Sequence, residues 1–158
     1  MNFNFFLPHK FRFVGLILFL LGIIAAYIRF SLGIKPAVLT LPVFSLYSSF
    51  LETKTFQIIT NNISEEIVAL LLLVGLLLLN FSKEKIEIEQ TDKLRFRALI
   101  TSVFVNSMLM ILSTLFIYGF AFVNVLMLNM FSQLIIYQMI FRFLIFRNRK
   151  KLFIDGIS

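Results

Sequence analysis

The polar residues that interrupt this apolar chain recur at helical spacing in two places. Ser102, Asn106 and Ser113 are spaced by four and seven residues, and Asn129, Gln133 and Tyr137 by four and four. On helices each set shares one face. Amides and hydroxyls so placed either hydrogen-bond a neighbouring helix or line a polar path or small-ligand pocket. Asn106 and Gln133 each lie eight residues from the ends of their segments at Ala98 and Phe141, about 12 Å along a helix. An antiparallel hairpin therefore predicts that these two amides meet.

A third constellation is charged. Glu65 and Glu66 follow Asn61-Asn62-Ile63-Ser64, so a helix is expected to start there, with Asn or Ser capping it and acids in its first turn. Arg29 is the expected partner of Glu65 or Glu66 in an ion pair at the same end. Beyond these the chemistry is sparse. There is no cysteine, and His9 is the one histidine, which excludes disulfides, thiolate nucleophiles, zinc knuckles and an imidazole cluster. No catalytic, cofactor-binding or metal-binding residues are expected, and no enzyme activity.

The elements that must position these residues follow from composition. The chain has 158 residues, 59% hydrophobic and 15% charged, with a mean hydropathy of +0.95. Soluble domains average roughly 45–50% apolar and about 25% charged, so a soluble fold is excluded. Two charge-free runs of 16 residues, Phe13–Ile28 and Ile67–Ser82, are flanked by charges that can snorkel outward, Arg12 and Arg29 around the first. A third run, from Ala98 to Phe141, has 44 residues without a charge. As one helix it would reach roughly 66 Å, about twice the hydrocarbon core, so it must fold back. Gly119 is its one glycine, and Asn124 follows as a start signal for the next helix. The expected spans are 13–30, 65–82, 98–118 and 121–141, with an outer loop over 31–64, an inner loop over 83–97 and a basic tail over 142–158. In the outer loop, Val43, Phe44, Leu46 and Tyr47 and then Thr55–Thr60 form two β-prone runs joined by a polar link, which predicts a β-hairpin. Gly22 and Ala26, with Gly15 one heptad earlier, allow close helix approach within the chain or in a dimer. Thr91-Asp92 is expected to start the segment leading into span three, and Glu89 with Lys93 makes a supportive pair.

Basic residues set the expected orientation. Lys10, Arg12, Lys83, Lys85, Lys93, Arg95, Arg97, Arg142, Arg147, Arg149, Lys150 and Lys151 fall on one side, twelve against the three of Arg29, Lys35 and Lys54. Short basic segments stay in the cytoplasm, so both termini are expected there, in a multi-pass protein of the cytoplasmic (inner) membrane. The same reasoning assigns the net charge of +7 to anionic lipid headgroups rather than nucleic acid. Arg142, Arg147, Arg149, Lys150 and Lys151 are the expected headgroup contacts. The first span carries no carboxylate, unlike the small multidrug transporters, and the charge bias argues against the dual insertion of fluoride channels.

Several stretches, LPHKFRFVGLILF at 7–19, NNISEEI at 61–67, NFSKEKIEIE at 80–89, KLRFRAL at 93–99 and YGFAFVNVLMLNMF at 118–131, resemble a family of small uncharacterised four-span inner-membrane proteins of Bacteroidota. The resemblance covers most of the chain; it implies an architecture and a bacterial setting and supplies no site residues. The expectation is thus an all-α membrane protein, four transmembrane helices with a small extracytoplasmic β-hairpin between helices 1 and 2. Its expected role is a non-catalytic accessory, regulatory or structural subunit. The alternative is a small oligomeric channel or transporter built on the polar faces of spans three and four. Its expected partners are membrane lipids and either a membrane protein or a second copy of the chain.

Overall fold

The computed structural model describes residues 6–49, 53–84 and 91–155. Four long helices dominate: α1 (Lys10–Ala26), α2 (Ser64–Phe81), α3 (Thr91–Phe116) and α4 (Phe120–Asp155). The segments Lys10–Ser31, Ser64–Phe81, Thr91–Phe116 and Phe120–Asn148 are each long and apolar enough to cross a membrane. A two-stranded antiparallel sheet, β1 (Thr40–Ser49) and β2 (Thr53–Asn62), is inserted between α1 and α2.

The helices form two antiparallel hairpins, α1 with α2 and α3 with α4, joined along a seam between α2 and α4. The α1–α2 contact is made by glycines. A Cβ at Gly75 would stand 2.6 Å from the Phe19 backbone nitrogen, and one at Gly15 would stand 2.9 Å from the Leu79 nitrogen. Gly22 meets Leu72 in the same way, its Cβ position 2.9 Å from Cδ2. The close approach expected of Gly15 and Gly22 is therefore made within the chain, and Gly75 supplies the facing hollow.

α1 does not stop where its apolar run ends. It widens into a π-helical turn, Tyr27–Ser31, in which Leu32 N donates to Tyr27 O at 3.3 Å. Gly33 then takes φ +67°, the left-handed conformation that commonly closes a helix. After a short 3-10 turn, Ala37–Leu39, the chain enters β1, whose Val43, Phe44 and Tyr47 favour an extended backbone. The register runs from Thr40 opposite Asn62 to Ser49 opposite Thr53. Asn62 roots this hairpin on α2. Its amide donates to Pro36 O at 2.9 Å and Thr40 Oγ1 at 3.0 Å, while its Oδ1 accepts from Ser64 N at 3.2 Å.

The helix ends differ from the expected span limits where polar residues are helical too. α3 begins at Thr91, with Asp92 in its first turn, because an acid there complements the helix dipole. It ends at Phe116, and α4 begins at Phe120 after Gly119 at φ +68°. Asn124 consequently lies inside α4 and is not its cap. α4 runs on to Asp155 as 36 residues, about 54 Å at 1.5 Å per residue, so the basic tail is a helical extension rather than a separate segment. Glu89, in the expected pair with Lys93, lies outside the described residues.

Candidate functional site

The end of the molecule bearing Arg12, Arg95 and Arg142 gathers every buried charge among the described residues. The N-terminal segment is pinned alongside the end of α2: Leu7 N donates to Phe81 O, and Lys83 N donates to Leu7 O, both at 2.9 Å. That pairing brings the first turn of α1 against the residues following α2. Arg12, 7% exposed, makes an ion pair with Glu84, 8% exposed. Arg142 Nη1 of α4 stands 3.9 Å from the same carboxylate. Arg95 of α3, 5% exposed, donates to Ser82 O at 3.2 Å. Its guanidinium lies 3.9 Å from the Phe6 ring centroid and 5.2 Å from that of Phe141, within cation–π range. One cluster thus ties all four helices and the N-terminal segment.

Burial pushes the Glu84 carboxyl up, but the hydrogen bond and charge of Arg12, with the charges of Arg142 and Arg95, outweigh it and hold it below the usual carboxylate range. A carboxylate whose folded pKa is depressed stabilises fully above its unfolded pKa of about 4.3. That contribution is lost as pH falls through the folded value. Melting temperature in detergent is therefore expected to fall as pH drops below about 4, and Glu84→Gln is expected to flatten that dependence. Parallel acid profiles for the two proteins would contradict the pairing.

Beside this cluster, a cavity of about 380 Å³ opens between α2, α3 and α4. Phe81, Phe96, Leu99 and Leu134 form most of its apolar wall, and Asn80, Asp92, Arg95, Gln133 and Tyr137 bring polar groups to it. Asn80 is 3% exposed, and its Nδ2 donates to Leu134 O at 3.1 Å, which fixes which end of the amide is which. Its Oδ1 is buried with no hydrogen-bond partner. An apolar chamber with few polar groups is the ordinary form of a small-molecule site. No group of three metal-ligating side chains occurs among the described residues.

The polar faces of α3 and α4 do meet, though not as expected. Gln133 Nε2 donates to Ser102 Oγ at 3.0 Å, and Ser132 Oγ donates to Asn106 Oδ1 at 2.7 Å, with Asn129 Oδ1 3.1 Å away as an alternative acceptor. Asn106 and Gln133 are therefore not partners. The connection between α3 and α4, residues 117–119, lies one to two residues earlier than the expected break between 118 and 121, which moves the partner of Gln133 about one turn along α3, from Asn106 to Ser102. Ser113 takes part in none of these bonds. Tyr137 stacks on Phe141, centroids 5.9 Å apart and rings 3° from parallel. Removing one partner of such a bond in lipid costs about 0.6–2 kcal/mol. Ser102→Ala and Gln133→Leu are each expected to lower stability by that amount, and the double variant by less than the sum. Additive losses would mean the bond is not formed.

At the other end, Arg29 pairs with Glu65, while Glu66 accepts from Asn61 Nδ2 at 3.1 Å. Of the expected headgroup contacts, Arg142 leans on Glu84 with its side chain 55% exposed, and Arg147 is exposed. The side chains of Arg149, Lys150 and Lys151 lie outside the described residues. Sequence reasoning missed Arg12, Glu84, Arg95 and Asn80. Arg12 reads as a snorkelling flank, yet it is turned inward by Glu84. The available signal was a lone acid within the basic Lys83-Glu84-Lys85 stretch, directly after an apolar helix.

No protein-family model, curated protein or solved structure matches the chain.

Proposed function

We propose that this is a multi-pass protein of the cytoplasmic (inner) membrane with both termini in the cytoplasm, serving as a non-catalytic accessory, regulatory or structural subunit. It works through helix–helix contacts and a basic face. The observation that carries this reading is the charge at the end where the four helices are tied. Lys10, Lys83, Lys93, Arg97 and Arg147 are exposed there, whereas the neighbouring acid, Glu84, is buried in its ion pair with Arg12. Asp92 is an exposed acid among these five exposed cations, so the balance there is positive. Such a face is retained in the cytoplasm and attracts anionic lipid or an acidic partner.

The reading as an oligomeric channel or transporter has less support. The polar groups it needs on α3 and α4 are engaged with each other through Ser102, Gln133, Asn106, Ser132 and Asn129. Affinity purification of the full chain from native membranes distinguishes the two. A subunit brings down a partner in fixed stoichiometry, and Lys93→Glu with Arg97→Glu weakens that recovery. A chain recovered alone, whose liposomes pass solute until Gln133→Leu is introduced, would establish the channel instead.

A further inference from the structure

Outside the helices, the hairpin of β1 and β2 has two unlike faces. Side chains alternate along a strand, and Phe44 stands opposite Ile58 in the register, with Ser45 opposite Gln57 beside them. The Phe44 and Phe56 rings meet across the strands with centroids 6.5 Å apart. Phe44, Leu46, Phe56 and Ile58 thus share one apolar face, and they are 64%, 64%, 73% and 74% exposed. Ser45 and Gln57 lie on the other face. Among the described residues no helix packs along either strand. The hairpin is held at its root by the Asn62 bonds to Pro36 and Thr40 and by Ile63 N, which donates to Leu39 O at 3.0 Å. A two-stranded hairpin is at best marginally stable in water, so a cover over this face would stabilise it.

Continuity and size say what the cover is. Tyr27, Phe30, Leu32, Ile34 and Val38 are exposed in turn along the connection from α1 to β1. The apolar surface of a helix long enough to cross a membrane therefore leads into the hairpin. Taking roughly 150–250 Å² for each large side chain, the four exposed ones offer on the order of 500 Å². A patch of that size is often functional, yet it falls below the about 800 Å² per partner that a stable protein–protein interface buries. A lipid surface sets no such minimum, because it has no fixed outline to match. Phe44 and Leu46 lie about 13 and 20 Å along β1 from Thr40, at about 3.3 Å per residue. A headgroup layer is only roughly 5–8 Å deep, so this face meets lipid only where the hairpin lies along the surface.

We propose that the hairpin lies flat on the bilayer at the Arg29–Glu65 end. Phe44, Leu46, Phe56 and Ile58 are set into the boundary between headgroups and acyl chains, and Ser45 and Gln57 are turned to water. This rests on the reading that the four helices cross a bilayer, and it makes the connection between the first two a membrane-binding element in its own right.

The chain has no tryptophan, so single tryptophans report position without background. The full chain carrying Phe44→Trp, Ile58→Trp, Gln57→Trp or, in α3, Leu109→Trp is reconstituted in phosphatidylcholine–phosphatidylglycerol vesicles, with and without lipid brominated on its acyl chains. Leu109, 48% exposed, reports on the span itself. Phe44→Trp and Ile58→Trp are expected to emit at shorter wavelength than Gln57→Trp and to lose most of their emission to the brominated lipid. Gln57→Trp is expected to keep most of its own. Two variants on the apolar face guard against one that fails to fold. Unquenched, water-like emission from both, with Leu109→Trp quenched, would overturn the proposal and leave the bilayer reading standing. Short-wavelength emission that brominated lipid does not quench would overturn it as well, because protein then covers the face. An unquenched Leu109→Trp would refute the bilayer reading, and the proposal with it.

Discussion

Glu84→Gln is expected to be the most damaging single substitution at the basic end, lowering unfolding free energy by about 3–5 kcal/mol. Glutamine keeps the shape and removes the charge, so Arg12, 7% exposed, is left as a buried cation without the carboxylate that Arg142 and Arg95 also act on. The loss comes from that uncompensated charge more than from the missing attraction. It follows that removing both partners is milder than removing one: Arg12→Met with Glu84→Leu is expected to recover most of the stability. Thermal unfolding in detergent, followed across Arg12→Met, Glu84→Leu and the double, measures the difference. A double variant as unstable as the sum of the singles would show that the two side chains act independently.

Gly75→Leu is expected to separate α1 from α2. Even the first added carbon would sit 2.6 Å from the Phe19 nitrogen and 2.9 Å from its Cα, and those are backbone atoms that cannot rotate aside. Overpacking of this kind costs about 1–3 kcal/mol, occasionally more. At Gly75→Ala the better helix propensity of alanine returns up to about 1 kcal/mol, so alanine should be tolerated better than leucine. The control is Gly33, where no atom lies within 4 Å of the added Cβ but φ is +67°. There asparagine, which accepts the left-handed conformation, should be nearly neutral. Proteolysis of the detergent-solubilised variants reads the effect, since a loosened α1–α2 hairpin frees the exposed connection after residue 31 to unfold into a protease. Equal resistance of Gly75→Leu and wild type would mean that the helices do not touch at Gly75.

The long helices were legible because their signal is crude. Runs such as Ile67–Ser82 have no reading but a helix that avoids water, and the uncharged stretch from Ala98 to Phe141 could not remain straight. The hairpin was legible from its β-prone residues, and Thr40–Ser49 pairs with Thr53–Asn62 around the expected link. Registers were not. Whether Gln133 meets Asn106 or Ser102 depends on three residues around Gly119, and a shift of one turn leaves the hydrophobic pattern unchanged. The basic-end cluster was hidden for a different reason. Arg12, Glu84, Arg95 and Arg142 come from four separate segments, each with a sufficient local explanation as a flanking charge. Only the pairing of Leu7 with Phe81 and Lys83 brings them together. Asn80 carried the same ambiguity, since an amide near a helix end is as readily solvated as buried.

The account as a whole depends on the hairpin and the arginine cluster lying on opposite sides of a membrane. The chain has no cysteine, so single cysteines report position without background. Thr60→Cys in β2 and Lys93→Cys in α3, each labelled in spheroplasts with a membrane-impermeant maleimide, test it directly. The expected result is labelling of Thr60→Cys in intact spheroplasts and of Lys93→Cys after lysis alone. Labelling of both before lysis, or of Lys93→Cys in preference to Thr60→Cys, would contradict the account.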